Sequence, residues 1–227
     1  MPPVDEITLN FSPEGLFVLN ILLGLIMFGV ALDLSVSDFR RLLQLPKSAA
    51  IGLVCQFVLL PAVTFLLVLL VRPQPSIALG LFLVAACPGG NISNFFTHLA
   101  GGNTALSISL SAISTTTAVV MTPLNFTFWS SMYAPAHGLL RSVSISPFDL
   151  FGTILLLLGI PLVLGMYVAY RFPDWAKRMH GPMKTSSIGF FALFVALAFY
   201  ANFDYFLEYI GLVVFVVAVH NGLALFT

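Results

Sequence analysis

The sequence predicts an all-α, polytopic membrane protein of about seven spans, the third of them broken. Three observations carry that reading. Of 227 residues, 59% are hydrophobic and only 8% are charged, whereas soluble domains carry about 25% charged residues. A soluble chain this short cannot bury so much apolar surface in one core. The charges are also clustered, leaving seven stretches of 18 to 26 residues without Asp, Glu, Lys or Arg: Gly15–Leu32, Ser48–Val71, Ser76–Ala100, Thr104–Trp129, Leu150–Tyr170, Thr185–Asn202 and Tyr209–Thr227.

Each stretch suits a helix across a hydrocarbon core about 30 Å thick, which needs about 20 residues. The runs are continuous rather than alternating, so helices are expected and not a barrel. Residues 1–14 read as an extracytoplasmic tail and 15–227 as a single transmembrane domain. With the N-terminus outside, Arg40, Arg41, Lys47, Arg171, Lys177, Arg178 and Lys184 fall inside, and only Arg72 and Arg141 outside. The positive-inside rule favours that orientation, with the C-terminal end inside. The acidic, Pro-rich start lacks a cleavable-signal pattern, so the first span is expected to act as its own insertion signal. Cys55 and Cys87 fall inside spans and are expected to be free buried thiols. Zero net charge argues against nucleic acid as a partner.

The informative stretch is Ser76–Trp129, which has no Asp, Glu, Lys or Arg and two interruptions. Gly101-Gly102-Asn103 reads as a tight turn between antiparallel helices. Cys87-Pro88-Gly89-Gly90-Asn91 lies mid-span. Pro88 has no N–H and disfavours helix at Cys87, and Gly89 and Gly90 tolerate dihedrals that other residues avoid. The chain is expected to unwind there and restart near Ile92. Non-helical backbone at membrane depth is tolerated only against protein or a water-filled cavity. The restarting half-helix then points free N–H groups and a positive dipole end into that space, as in the discontinuous helices of many transporters.

Neutral polar residues gather around the break. Asn91, Ser93 and Asn94 lie at it, Gln56 sits mid-span in the second hydrophobic stretch, and Ser107, Ser111 and Ser114 share one face of the following helix at i, i+4 and i+7. Hard neutral oxygens of this kind suit an alkali cation rather than a transition metal. Ser109, Thr115, Thr116 and Thr117 read instead as hydroxyls bonded back to their own backbone or to a neighbouring helix. His220 and Asn221 open a polar notch in the last span, where a hydrogen-bonded packing role is favoured for the histidine over a proton relay. The stretch Arg171–Lys184 reads as a basic interfacial loop, with Trp175 at the membrane surface.

The run Ala86-Cys87-Pro88-Gly89-Gly90-Asn91-Ile92-Ser93-Asn94, followed by Leu99-Ala100-Gly101-Gly102-Asn103-Thr104-Ala105-Leu106-Ser107, resembles the bile acid:sodium symporter family. The resemblance continues through Ser111, Ser114-Thr115 and Thr122-Pro123, and through Gln56-Phe57 with Pro61, Ile26–Leu32 and His220-Asn221-Gly222. It implies the core and panel helices of an inverted-repeat transporter fold, with two sodium sites behind a crossing of two broken helices. It assigns Ser93, Asn94, Ser107 and Ser111 to the first sodium site and Gln56 to the second. Gly90, Asn91 and Ile92 would face the carboxylate of an organic anion, either a bile acid or a smaller acid such as pantoate or pyruvate. Ser111 stands where members often have Thr.

The resemblance also implies a second broken helix, with a Glu-x-Gly-x-Gln-Asn type motif, beyond the His-Asn-Gly region. The sequence in hand ends at Thr227, so the fold is read as lacking its last two helices, and the 227-residue chain alone is expected not to transport. The leading expectation is a sodium-coupled symporter in a cell or inner membrane or an organellar envelope, with sodium, an organic anion and lipid as partners and no enzymatic activity. The alternatives are a non-transporting membrane scaffold and an intramembrane hydrolase. The hydrolase lacks an intramembrane aspartate or an activated serine.

Overall fold

A computed structural model of the chain describes residues 5, 13–32, 34, 46–89, 92–138, 152 and 155–224. Among the described residues the regular structure is entirely helical. The elements are α1 (Pro13–Ala31), α2 (Pro46–Val71), α3 (Pro75–Ala86), α4 (Ile92–Leu99), α5 (Thr104–Met132), α6 (Leu155–Arg171), α7 (Pro173–Ala201) and α8 (Phe203–Ala224). Four segments, Glu14–Ala31, α2, α5 and α7, are long and apolar enough to cross a bilayer, and α8 makes a fifth if its two bent halves count as one. Helices α3 and α6 are shorter and apolar. Large side chains such as Leu70, Tyr170 and Tyr200 are 83%, 78% and 84% exposed. Exposed apolar surface on this scale fits contact with hydrocarbon, not water.

The helices follow the charge-free runs, with two differences. The expected basic loop Arg171–Lys184 is largely helical, because α7 runs unbroken from Pro173 through the internal Pro182 to Ala201. Charges exclude a segment from the bilayer core but not from a helix. Likewise α8 begins at Phe203, before Tyr209, and takes in Asp204 and Glu208. The two cysteines are free, as expected, but Cys55 is only half-buried and Cys87 is exposed.

The chain forms two compact units. One holds α1, α6, α7 and the first part of α8, and the other holds α2 to α5 with the second part of α8. In the first unit α1 packs on α6 and α7. A Cβ on Gly165 would lie 2.5 Å from Ala31 Cβ and 2.8 Å from the Phe28 carbonyl oxygen. Glycine therefore permits this close approach of two apolar helices, as small residues do in membranes generally.

The second unit is built around Val68, Ala78, Leu81, Phe82, Ala86 and Phe126. Phe65 joins them, with its ring 5.9 Å from Phe82 and 5.2 Å from Trp129. Proline punctuates the helices here. Gln74 is extended (φ −58°, ψ 147°) before Pro75, which opens α3, as the residue before a proline prefers. Within α2 the turn Cys55–Leu59 is a π-helix, in which the Leu60 N–H bonds to Cys55 O, and Pro61 follows directly. In a regular α-helix that ring would collide with the carbonyl four residues back, and the extra residue in the turn relieves the clash. The same pairing recurs in α6, where the π-turn Leu155–Gly159 precedes Pro161.

Replacing Gly165 with Ala adds helix propensity but drives a methyl into the α1 backbone. The G165A protein is expected to lose about 1–3 kcal/mol of stability, read as a lower melting temperature in detergent.

Candidate functional site

The site starts with the break between α3 and α4. Cys87 precedes Pro88 and is extended (φ −75°, ψ 150°), so α3 stops at Ala86, and α4 restarts at Ile92. Stopping a helix in an apolar setting strands its last carbonyls. Two of them are taken by side chains from distant helices. Thr122 Oγ1 on α5 donates to Ala86 O at 2.7 Å. Gln56 Nε2, on the π-turn of α2, donates to Cys87 O at 2.8 Å. The Gln56 Oε1 is left for other partners, and it lies 3.9 Å from where a Cβ on Gly89 would stand.

A Schellman turn returns the chain from α4 to α5. Gly101 has φ +70°, its N–H bonds to His98 O, and the Gly102 N–H bonds to Thr97 O. A Cβ on Gly102 would press on Thr97 at 3.0 Å. Asn103 caps α5, its Oδ1 accepting from the Leu106 N–H at 3.0 Å. This tight reversal lays α4 against the start of α5.

The contact joins the polar residues. Ser107 Oγ donates to Asn94 Oδ1 at 2.6 Å, and Ser111 Oγ donates to the same oxygen at 3.1 Å. Thr97 Oγ1 donates to Ser93 O at 2.8 Å and also lies 3.3 Å from Ser107 Oγ. The hydrogens can be counted. The Ser107 and Ser111 hydrogens both go to Asn94, and the shorter Thr97 bond takes its hydrogen to Ser93 O. Thr97 and Ser107 then face each other with lone pairs, and Ser111 keeps both of its own. The hydroxyl oxygens of the cluster thus keep lone pairs that can meet a cation, while the Asn94 amide keeps its two N–H hydrogens.

A cavity of about 440 Å³ opens on this cluster. Its lining includes Gln56, Gly89, Ser93, Thr97, Ser107, Ser111 and Ser114, with no Asp, Glu, Lys or Arg among the described residues. No group of three or more His, Cys, Asp or Glu able to hold a metal occurs among the described residues. The ligands at hand are hydroxyl and amide oxygens. A second cavity of similar size adjoins the break and is lined by Cys55, Gln56, Cys87, Pro88, His220 and Asn221 among others. Gln56 lines both.

Of the residues singled out from sequence, Gln56, Ser93, Ser107 and Ser111 line one cavity, and Asn94 binds two of them. Gly90 and Asn91 lie outside the described residues, as does the side chain of Ile92, whose backbone opens α4. Ser109 and Thr116 bond back to Ala105 O and Ala112 O. His220 is 3% exposed and its Nε2 lies 3.0 Å from Thr64 Oγ1. The Thr64 hydroxyl donates to Leu60 O at 2.8 Å, which leaves its oxygen lone pairs able to accept from an Nε2-protonated His220. Sequence reasoning gave no part to Thr97 or Thr64 and no specific role to Thr122. Thr97 was open to inference at i+4 from Ser93, whereas the Thr122 partner is 36 residues away.

The family model for the Sodium Bile acid symporter family matches residues 20–209. The chain belongs to this family. Its relatives include the uncharacterized sodium-dependent transporter YocS of Bacillus subtilis, 37% identical over 222 residues, covering 95% of this chain and 66% of that protein. The human sodium-dependent organic anion transporter is 32% identical over 177 residues, 78% of this chain and 46% of its own length. The human ileal sodium/bile acid cotransporter is 30% identical over 181 residues, 80% of this chain and 50% of its own length. The chain thus spans from about half to 66% of the length of these symporter-family relatives. The family and these names are those of transporters, not of enzymes.

Removing the Thr122 hydroxyl leaves the Ala86 carbonyl buried without that partner. Thr122→Val is expected to cost about 1–3 kcal/mol of stability, and Thr122→Ser to recover most of it, by thermal unfolding in detergent.

Proposed function

We propose that this chain carries the sodium-binding half-site of a sodium-coupled symporter for an organic anion. The observation that supports this most is that Ser107 and Ser111 both spend their hydrogens on Asn94 Oδ1, which leaves serine lone pairs on the wall of a cavity beside a broken helix. Ser93 adds a further oxygen, and Gln56 offers Oε1 to a second sodium position while its amide nitrogen holds the break. The sodium-dependent names of the relatives support the same cation.

The anion is a carboxylate received where α4 begins, at Gly90, Asn91 and Ile92. A restarting helix offers unpaired N–H groups and the positive end of its dipole there. Sodium and carboxylate meeting at one break gives each a reason to favour the other's binding. Alternating access then carries both across the membrane. The substrate is a bile acid or a smaller carboxylate such as pantoate or pyruvate, and the N-terminus faces outside.

Equilibrium binding of radioactive sodium to the purified chain tests this reading. Saturable binding is expected, weakened at least about tenfold by Asn94→Ala, equivalent to about 1.4 kcal/mol. The carboxylate that belongs to the site tightens sodium binding by the same factor by which sodium tightens its own, so taurocholate, pantoate and pyruvate are added in turn. Absence of saturable sodium binding would contradict the proposal.

A further inference from the structure

Ser114 stands apart from the other hydroxyls of this unit. Thr64, Thr97, Ser109, Thr116, Ser130 and Ser131 each donate to a carbonyl three or four residues earlier in their own helix. That is the ordinary resting place of a hydroxyl on a membrane helix. Ser114 has the same option and does not take it. Its Oγ is buried and has no hydrogen-bond partner, the residue being 8% exposed. Ser76 is the one other buried side chain in that condition among the described residues, and it does not line this cavity.

The residue that carries the orphan hydroxyl is one of those lining the cavity, and its Oγ is buried behind that wall. Ser107, Ser111 and Ser114 all line it, along one face of α5. Ser114 is the most deeply buried of the three. A buried hydroxyl without a partner is destabilising, and such a group in a native structure calls for an explanation. Among the described residues the lining supplies no charged side chain to bind it.

We infer that Ser114 is a further cation ligand of this cavity, an oxygen held ready for a desolvated alkali ion beside Ser111. The inference rests on the sodium reading above and adds a residue that the Asn94 cluster does not include. The Ser114 oxygen coordinates the ion while its hydrogen turns to the Leu110 carbonyl, four residues earlier. Binding would satisfy the orphan group, so part of the ion's affinity comes from a defect present in the ion-free protein.

Ser114→Ala separates this from a packing role by sign. The readout is the melting temperature of the purified chain in detergent, in sodium chloride and in N-methylglucamine chloride, with the wild type, Ser114→Ala and Asn94→Ala side by side. A ligand stabilises as its concentration exceeds its dissociation constant. In sodium-free buffer Ser114→Ala is expected to melt no lower than the wild type. Its midpoint for sodium stabilisation is expected to rise about fivefold to tenfold, the effect of one lost polar contact. Ser114→Cys, which exchanges a hard oxygen for a soft sulfur at similar volume, should show the same rise and serves if the alanine variant does not fold. A normal sodium midpoint in both Ser114 variants, with the midpoint lost in Asn94→Ala, would overturn the Ser114 assignment and leave the sodium reading standing. No sodium stabilisation of the wild type would overturn both.

Discussion

A backbone carbonyl cannot be left bare in hydrocarbon, and the site in this chain is organised around that constraint. Pro88 forces Cys87 out of the helix and ends α3. Helix ends of soluble proteins turn their free carbonyls to water. Here Thr122 and Gln56 reach in from α5 and α2 to hold Ala86 O and Cys87 O. The break is therefore a fixed piece of architecture. Because its shape is fixed, the half-helix α4 can present Ser93 and Asn94 to α5 in a defined register.

The second layer is hydrogen counting. Asn94 accepts from both Ser107 and Ser111, which leaves the serine lone pairs turned elsewhere. In the proposed reading this is how a cluster of neutral groups comes to favour positive charge, with no carboxylate among the described lining residues. Gln56 serves both layers, because its nitrogen braces the break while its oxygen stays available. Its place on a π-turn is a consequence of Pro61, so one proline shapes the helix that carries the brace and another creates the carbonyl it braces.

Much of this was legible in the sequence wherever the cause is local. The stop at Cys87 and the restart at Ile92 follow from Pro88 and its glycines. The reversal at Gly101 follows from the need for a positive φ. The face shared by Ser107, Ser111 and Ser114 follows from helical spacing. What the sequence did not disclose depends on contacts between distant residues. Nothing near Thr122 says that it binds Ala86 O, and nothing near Thr64 says that it meets His220, which is 156 residues away. Helix ends are likewise not set by charge-free length, since α7 and α8 carry charged residues in helical turns.

We hold that the oxygens of Ser107 and Ser111, oriented by Asn94, form a cation site because the break is held beside them. The most direct measurement is an experimental density map of the protein in sodium chloride against one in N-methylglucamine chloride. A spherical peak is expected in the sodium map, in direct contact with Ser107 Oγ and Ser111 Oγ, with the Gln56–Cys87 and Thr122–Ala86 bonds intact in both maps. A cavity without such a peak at saturating sodium, or a continuous helix through Pro88, would contradict it.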